Sequence, residues 1–451
     1  MDDSRLDDAR RRLNLLAEDF LSEQARRASQ AQSQYLNSRL GTMRQMGELL
    51  RLQAGLAANP AQARPPLFNR ELLEEFASGS VERCLGAEYA VFRGRRIPRI
   101  PNGMLLLMDR VVEVCGTRGQ LDRPSEIVTE YDVPADAWFY RDCASRPEEG
   151  AGSCAIPYVI LMEMALQPCG FLSAYLGTIL ISPNCSLFFR NLDGEARLLR
   201  QPDLRGQRVT GWARMTAHTV NEETVIQKFE FSLSTGGEPF YVGNSVFGFF
   251  PGETMARQVG LDGGKASQPL FLQPGGSAMQ LRRIALQQAA AAQTGLHLAG
   301  GHLALLDEVL YDPTGGAAGR GYIYASRQIS PDDWFFRNHF FQDPVMPGSL
   351  GVEAVLEALR AFAMAEYSTE CEGWMGAETA PVQFELSDSM PFFWKYRGQV
   401  MPDAGKMQLE IQVLLREESA HGIEIMGDAS LWAGSIRIYL LKNLAIRIVK
   451  G

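Results

Sequence analysis

This chain carries one pattern twice, and that repeat limits its fold more than any other feature. V-P-A-D-A-W-F-Y-R-D-C, containing Asp136, Trp138, Phe139 and Arg141, returns as I-S-P-D-D-W-F-F-R-N-H, containing Asp332, Trp334, Phe335 and Arg337. Upstream, GMLLLMDRVVEV returns as GHLALLDEVLYD and sets Asp109 against Asp307. Downstream, IPYVILMEMALQ returns as MPGSLGVEAVLEAL, so Pro157 falls on Pro347 and Glu163 on Glu353. LFFRNLDGEARLLRQPDLRGQ against VQFELSDSMPFFWKYRGQ is the fourth matching block. Four blocks in one order at a nearly constant offset define two copies of one unit. Each copy reads as strands, one apolar helix and further strands able to curl round it, an α+β plan. The helix of the first copy is YVILMEMALQPCGFLSAYLG, and its β-like runs include EYAVF, EIVTEYDV and TVIQKFEFSLSTGG.

The rest of the chain sets the boundaries. Residues 3–58 are rich in Arg, Leu, Gln, Ala and Glu with apolar positions at helical spacing, ended by Asn-Pro and Pro-Pro signals. The expected order is a helical linker over 1–60, a first unit over 61–255, a Gly- and Pro-rich connector over 256–298 and a second unit over 299–451. At 46% hydrophobic and 22% charged residues, the chain is neither a disordered tail nor a fibre. A net charge of −9 argues against nucleic acid as a partner, because phosphate binding needs clustered Lys and Arg. The 7 cysteines form no C-x-x-C pair, which leaves a zinc ribbon or a redox dithiol without support and fits a reducing cytosol. No secretory leader pattern is present, and no apolar run approaches the ~18 residues of a membrane span. The expected location is therefore the cytoplasm.

Chemistry is expected where the copies differ. His339 stands where the first copy has Cys143, and Gln167 where the second has Glu357. Divergent polar residues at matched positions point to one composite active site and one decayed site. Glu163 lies among Ile160, Leu161, Met162, Met164 and Leu166, where a carboxylate is costly unless it is paired or protonated.

The string H-F-F-Q-D-P-V-M-P-G-S-L-G-V-E, His339 to Glu353, resembles the active-site signature of the bacterial β-hydroxydecanoyl-ACP dehydratase family. That family reads H-F-x-G-D-P-V-M-P-G-x-L-G-L-D at this place. The stretches Arg95–Val111 and Ile160–Gly177 add a similarity to the dehydratase domains of polyunsaturated fatty acid synthases. The departures are a Glu for the family's Asp in both copies and Gln342 for its Gly; only Glu163–Gln167 keeps the acid followed by Gln.

The resemblance implies a double hot-dog fold: two fused units, each a central helix wrapped by an antiparallel sheet. It implies dehydration of 3-hydroxyacyl thioesters to trans-2-enoyl thioesters, with isomerisation of the double bond left open. A base must take the C2 proton, an acid must protonate the leaving hydroxyl, and donors must hold the carbonyl oxygen. Carried onto this chain, His339 is the base and Glu163 the acid. Gln167, one turn on, orients the acid, and the Gly348 backbone N–H at a helix start clamps the carbonyl. Glu353 is the alternative acid, should each site form within one hot dog. No metal and no organic cofactor are implied, the substrate riding on the phosphopantetheine of an acyl carrier protein. That carrier and the other domains of a megasynthase are the expected partners, with a homodimer possible. The cluster Arg95, Arg96 and Arg99 reads either as a solvated face or as the docking site for the acidic carrier. Outside dehydration, the alternatives are a hot-dog thioesterase and an inactive scaffold that binds the carrier protein.

Overall fold

A computed structural model describes residues 65–143, 156–274, 279–286, 296–374, 382–420 and 422–450. The expected N-terminal helix over 1–60 lies outside these residues, as does most of the insert 146–157 with Cys154.

The first half contributes β1 (Arg110–Cys115), β2 (Ser125–Asp132), β3 (Leu187–Leu198), β4 (Arg208–Asn221), β5 (Thr224–Thr235) and β6 (Glu238–Pro251). The second contributes β7 (Arg282–Ile284), β8 (Glu308–Asp312), β9 (Tyr322–Gln328), β10 (Gln383–Leu386), β11 (Phe392–Tyr396), β12 (Lys406–Ser419), β13 (Gly422–Ala433) and β14 (Ile436–Val449). All pair antiparallel into one 14-stranded sheet in the order β1-β2-β4-β5-β6-β3-β11-β14-β13-β12-β9-β8-β7, with β10 added on β14. Outward from the β3–β11 seam, β3-β6-β5-β4-β2-β1 matches β11-β14-β13-β12-β9-β8, as a two-fold repeat requires, while β7 and β10 have no counterpart among the described strands of the first half. At the seam Phe392 to Lys395 face Ala196 to Asp193.

Each half wraps one helix, Tyr158–Tyr175 in the first and Gly348–Trp374 in the second. The first helix is apolar on every side and buried all round, as a hot-dog filling must be. The structure is therefore a double hot-dog, and matched hydrogen bonds show its internal symmetry. The Asp109 carboxylate accepts from Asp132 N at 2.8 Å and the Asp307 carboxylate from Gln328 N at 2.6 Å. The indole of Trp138 donates to Met104 O and that of Trp334 to His302 O, both at 3.1 Å. The halves also exchange contacts: Asn102 N donates to Asn338 O at 2.8 Å, and Gly300 N to Asp142 O at 2.7 Å.

Two sequence expectations need correction. EYAVF is a 3-10 helix, Ala87–Phe92, and not a strand. Tyr89 and Phe92 are both buried, and their spacing of three puts them on one face of a 3-10 turn but on opposite faces of a strand. Within the connector over 256–298, β7 pairs with β8. In the fourth repeat block the shared R-G-Q triplets are not equivalent. Leu199 N donates to Phe240 O at 2.7 Å as Arg397 N donates to Ile438 O at 2.8 Å, which sets Leu198 opposite Tyr396. Among the described residues, no helix is long and apolar enough to cross a membrane.

Candidate active site

His339 follows a short helix, Trp334–Asn338, and its N–H closes that turn on Phe335 O at 2.9 Å. Beyond it the chain folds back on itself. Phe340 and Asp343 exchange two backbone hydrogen bonds at 3.1 Å, and Val345 N donates to His339 O at 2.8 Å. Gln342, in place of the family's Gly, sits at φ 62 in the left-handed region, at a cost of roughly 1–2 kcal/mol for a residue with a Cβ. The imidazole Nδ1 lies 2.9 Å from Val345 O. A carbonyl only accepts, so Nδ1 carries the proton and Nε2 keeps its lone pair. Burial pushes the His339 pKa down to about 4, and the nearby Arg190 charge adds to the effect.

This loop is clamped across the halves. Arg190 on β3 grips the Asp343 carboxylate at 2.7 and 2.8 Å, with both side chains buried. The same guanidinium donates to Phe189 O at 2.8 Å and to Gln399 Oε1 at 3.3 Å. A fork-on-carboxylate pair fixes direction as well as distance, so the loop carrying His339 is held in register with the first half.

Glu163 enters from the first helix. Its carboxyl accepts from Ser349 Oγ at 2.6 Å and from Gln167 Nε2 at 3.2 Å. Gln167 is itself fixed by Leu105 O at 2.7 Å and Leu107 N at 3.0 Å. Burial holds the Glu163 carboxyl above the usual carboxylate range, with the two hydrogen bonds pulling only partly back. Burial outweighs them, and among the described residues no cation pairs with this carboxyl, so the site penalises its charged form. Gly348 opens the second helix, where the first N–H groups have no intrahelical acceptor. A Cβ on Gly348 would lie 2.6 Å from Tyr396 Cε2, so only glycine fits.

Glu163, Gln167, His339 and Gly348 line one cavity of about 460 Å³. Its apolar wall includes Met162, Leu166, Phe189, Ile226, Phe247 and Phe250, and its other rim is the segment Thr254–Gly260. Glu353 is not in the lining. It accepts from Val159 N at 3.2 Å and pairs with Arg360 at 2.7 Å. Tyr158, which takes the place of Gly348 in the first half, is buried against Tyr241 and Phe392 and fills that position with its ring. Glu357, the counterpart of Gln167, accepts from Leu305 N at 2.8 Å, and burial pushes its pKa up to about 8. Among the described residues, no three His, Cys, Asp or Glu side chains cluster to hold a metal.

The basic cluster is not a free face. Arg99 is buried and donates to Phe76 O at 2.7 Å and Glu75 O at 3.3 Å, near the end of the helix Arg70–Ser78. Arg96 donates to Leu187 O at 2.9 Å and Ser186 O at 3.2 Å, and Arg95 to Pro183 O. All three guanidiniums satisfy backbone carbonyls, so as a docking site the expectation fails outright for Arg99 and loses donors at the other two. Sequence reasoning also assigned no role to Arg190, Ser349 or Asp343. Asp343 lay within the D-P-V-M-P-G string, whereas Arg190 and Ser349 carry no local signal, because each acts on the other half.

Two helices, each rolled in half of a continuous antiparallel sheet, with a cavity fed by both, define the hot-dog class. Residues 298–442 match the FabA-like domain. The chain is also similar to a subunit of the polyunsaturated fatty acid synthase of a Thraustochytrium species, 32% identical over 397 residues covering 84% of this chain. It spans about a quarter (26%) of that relative's length. Among solved structures, the dehydratase domain from the CurJ module of curacin polyketide synthase is 8% identical with a TM-score of 0.39, covering 77% of this chain and 99% of that one. The 12:0-ACP thioesterase from Umbellularia californica is 11% identical with a TM-score of 0.33, covering 72% and 94%. Likeness this distant says nothing about which reaction this chain performs.

Proposed function

We propose that this chain dehydrates 3-hydroxyacyl thioesters, presented by an acyl carrier protein within a fatty acid or polyketide-type synthase, to trans-2-enoyl thioesters. The observation that carries the proposal is the meeting of two groups from opposite halves in one cavity: the His339 imidazole, whose Nδ1 faces Val345 O so that Nε2 stays free, and the Glu163 carboxyl, which burial holds above the usual carboxylate range.

His339 Nε2 takes the proton from C2, made acidic by the neighbouring thioester carbonyl. Charge builds on the carbonyl oxygen, where the Gly348 N–H and the positive end of the second helix stabilise it. Glu163 gives its proton to the C3 hydroxyl, the C3–O bond breaks, and water leaves. The imidazolium and the carboxylate that remain are reset when the proton returns from His339 to Glu163 through solvent. Gln167 keeps the carboxyl aimed throughout, and the apolar wall takes the acyl chain. Each proton lost by the substrate is matched by one delivered to the leaving group, so no metal or organic cofactor is required by the proposal.

The test is incubation with a 3-hydroxyacyl thioester while following enoyl absorbance and free thiol. A dehydratase yields enoyl product, a thioesterase yields thiol, and an inactive scaffold yields neither. His339→Ala should abolish enoyl formation without unfolding the protein; normal turnover by this variant would refute the proposal.

A further inference from the structure

Tyr396 closes β11 beside the seam, and it lines the cavity. Its side chain is 5% exposed, and its hydroxyl is buried with no hydrogen-bond partner among the described residues. Around it, Glu163 holds Ser349 and Gln167, His339 holds Val345 O, and Arg190 holds Asp343. The ring packs 4.3 Å from that of Tyr439 and against Gly348, whose missing Cβ makes the approach possible. The equivalent position in the first half is Leu198, buried and apolar. The hydroxyl therefore occurs only in the half whose helix start is open.

A buried donor kept without a partner in a ligand cavity is a group awaiting one. Burial and the nearby Tyr439 and Glu163 push the phenol well above its ordinary value, so it donates a hydrogen bond and keeps its proton. We propose that the Tyr396 hydroxyl is a substrate-binding donor that holds the C3 hydroxyl oxygen of the 3-hydroxyacyl group next to Glu163. This rests on the dehydratase reading, which places the departing oxygen at Glu163. Two groups then meet that oxygen: Glu163 delivers the proton and Tyr396 fixes its direction.

The variant is Tyr396→Phe, which keeps the ring against Gly348 and Tyr439. With 3-hydroxydecanoyl-N-acetylcysteamine as substrate, kcat/KM should fall about tenfold, equal to about 1.4 kcal/mol. In a His339→Ala background, where no turnover occurs, Tyr396→Phe should raise the Kd of that thioester about tenfold. It should leave the Kd of trans-2-decenoyl-N-acetylcysteamine unchanged, since that ligand has no C3 hydroxyl. Equal weakening of both ligands, or of neither, overturns the assignment. A lowered Tm with activity lost in proportion overturns it too, because losing an unpartnered hydroxyl should not destabilise the free protein. Should the wild-type protein itself fail to dehydrate the hydroxyacyl thioester, the dehydratase reading falls. Should it succeed and Tyr396→Phe match it, only the role of Tyr396 falls.

Discussion

Breaking the Arg190–Asp343 pair should reveal how the loop carrying His339 is held. Both side chains are under a tenth exposed, and they meet through two charge-assisted hydrogen bonds at 2.7 and 2.8 Å. Removing one partner strands a buried charge, so Arg190→Met and Asp343→Leu should each cost about 3–5 kcal/mol. Removing both leaves no buried charge unpaired. The double variant should therefore lose at least about 2 kcal/mol less than the sum of the two singles, a coupling typical of side chains that share one network. The assay is urea denaturation of the four proteins of the cycle, with enoyl formation measured alongside. The ion pair ties the loop that carries His339 to β3, so the double variant should recover stability without recovering turnover; an imidazole misplaced by about 1 Å costs on the order of a hundredfold. Additive losses within about 0.5 kcal/mol would refute the idea that this pair locks the loop.

Glu163→Gln should abolish dehydration yet raise Tm at neutral pH. The folded pKa of Glu163 lies above its unfolded value of 4.5, so its ionisation penalty grows as pH rises past that point and the advantage of the variant should vanish in acid. His339 titrates in the opposite sense. Its folded pKa of about 4 lies below the ordinary imidazole value of 6.5, so stability should drop by roughly 3 kcal/mol as pH falls from 6.5 to 4, an effect His339→Phe would remove. In kcat/KM the acid limb should lie near pH 4, well below that of an ordinary imidazole. Glu353→Gln should weaken folding by about 2 kcal/mol through Arg360 but leave turnover nearly intact, as enoyl absorbance would show.

What sequence alone could show was what repeats or keeps a fixed spacing. The two copies, the two apolar helices and the motif from His339 to Glu353 are local strings: the repeat pointed to a duplicated α+β unit, and the resemblance carried by the motif implied the double hot-dog. Glu163 stood out because a lone carboxyl in an apolar run demands an explanation. The parts that sequence hid are contacts between distant segments. Arg190 looks like any strand arginine until Asp343 arrives from the other half, and Ser349 looks like a helix-start residue until Glu163 meets its hydroxyl. Arg99 shows the reverse error: three basic residues in a short run suggest a surface, but backbone carbonyls of folded segments absorb their donors. Tyr396 gave no signal, because an orphaned hydroxyl is a property of packing.

Joining both halves through β3 and β11 has a stoichiometric consequence. Where a reaction centre is split between separate chains, diluting them separates the acid from the base and activity per chain falls. Here His339 and Glu163, the proposed base and acid, share one backbone, so the proposed centre assembles in a unimolecular step. Each half could then drift toward a single task, because every molecule always contains the other.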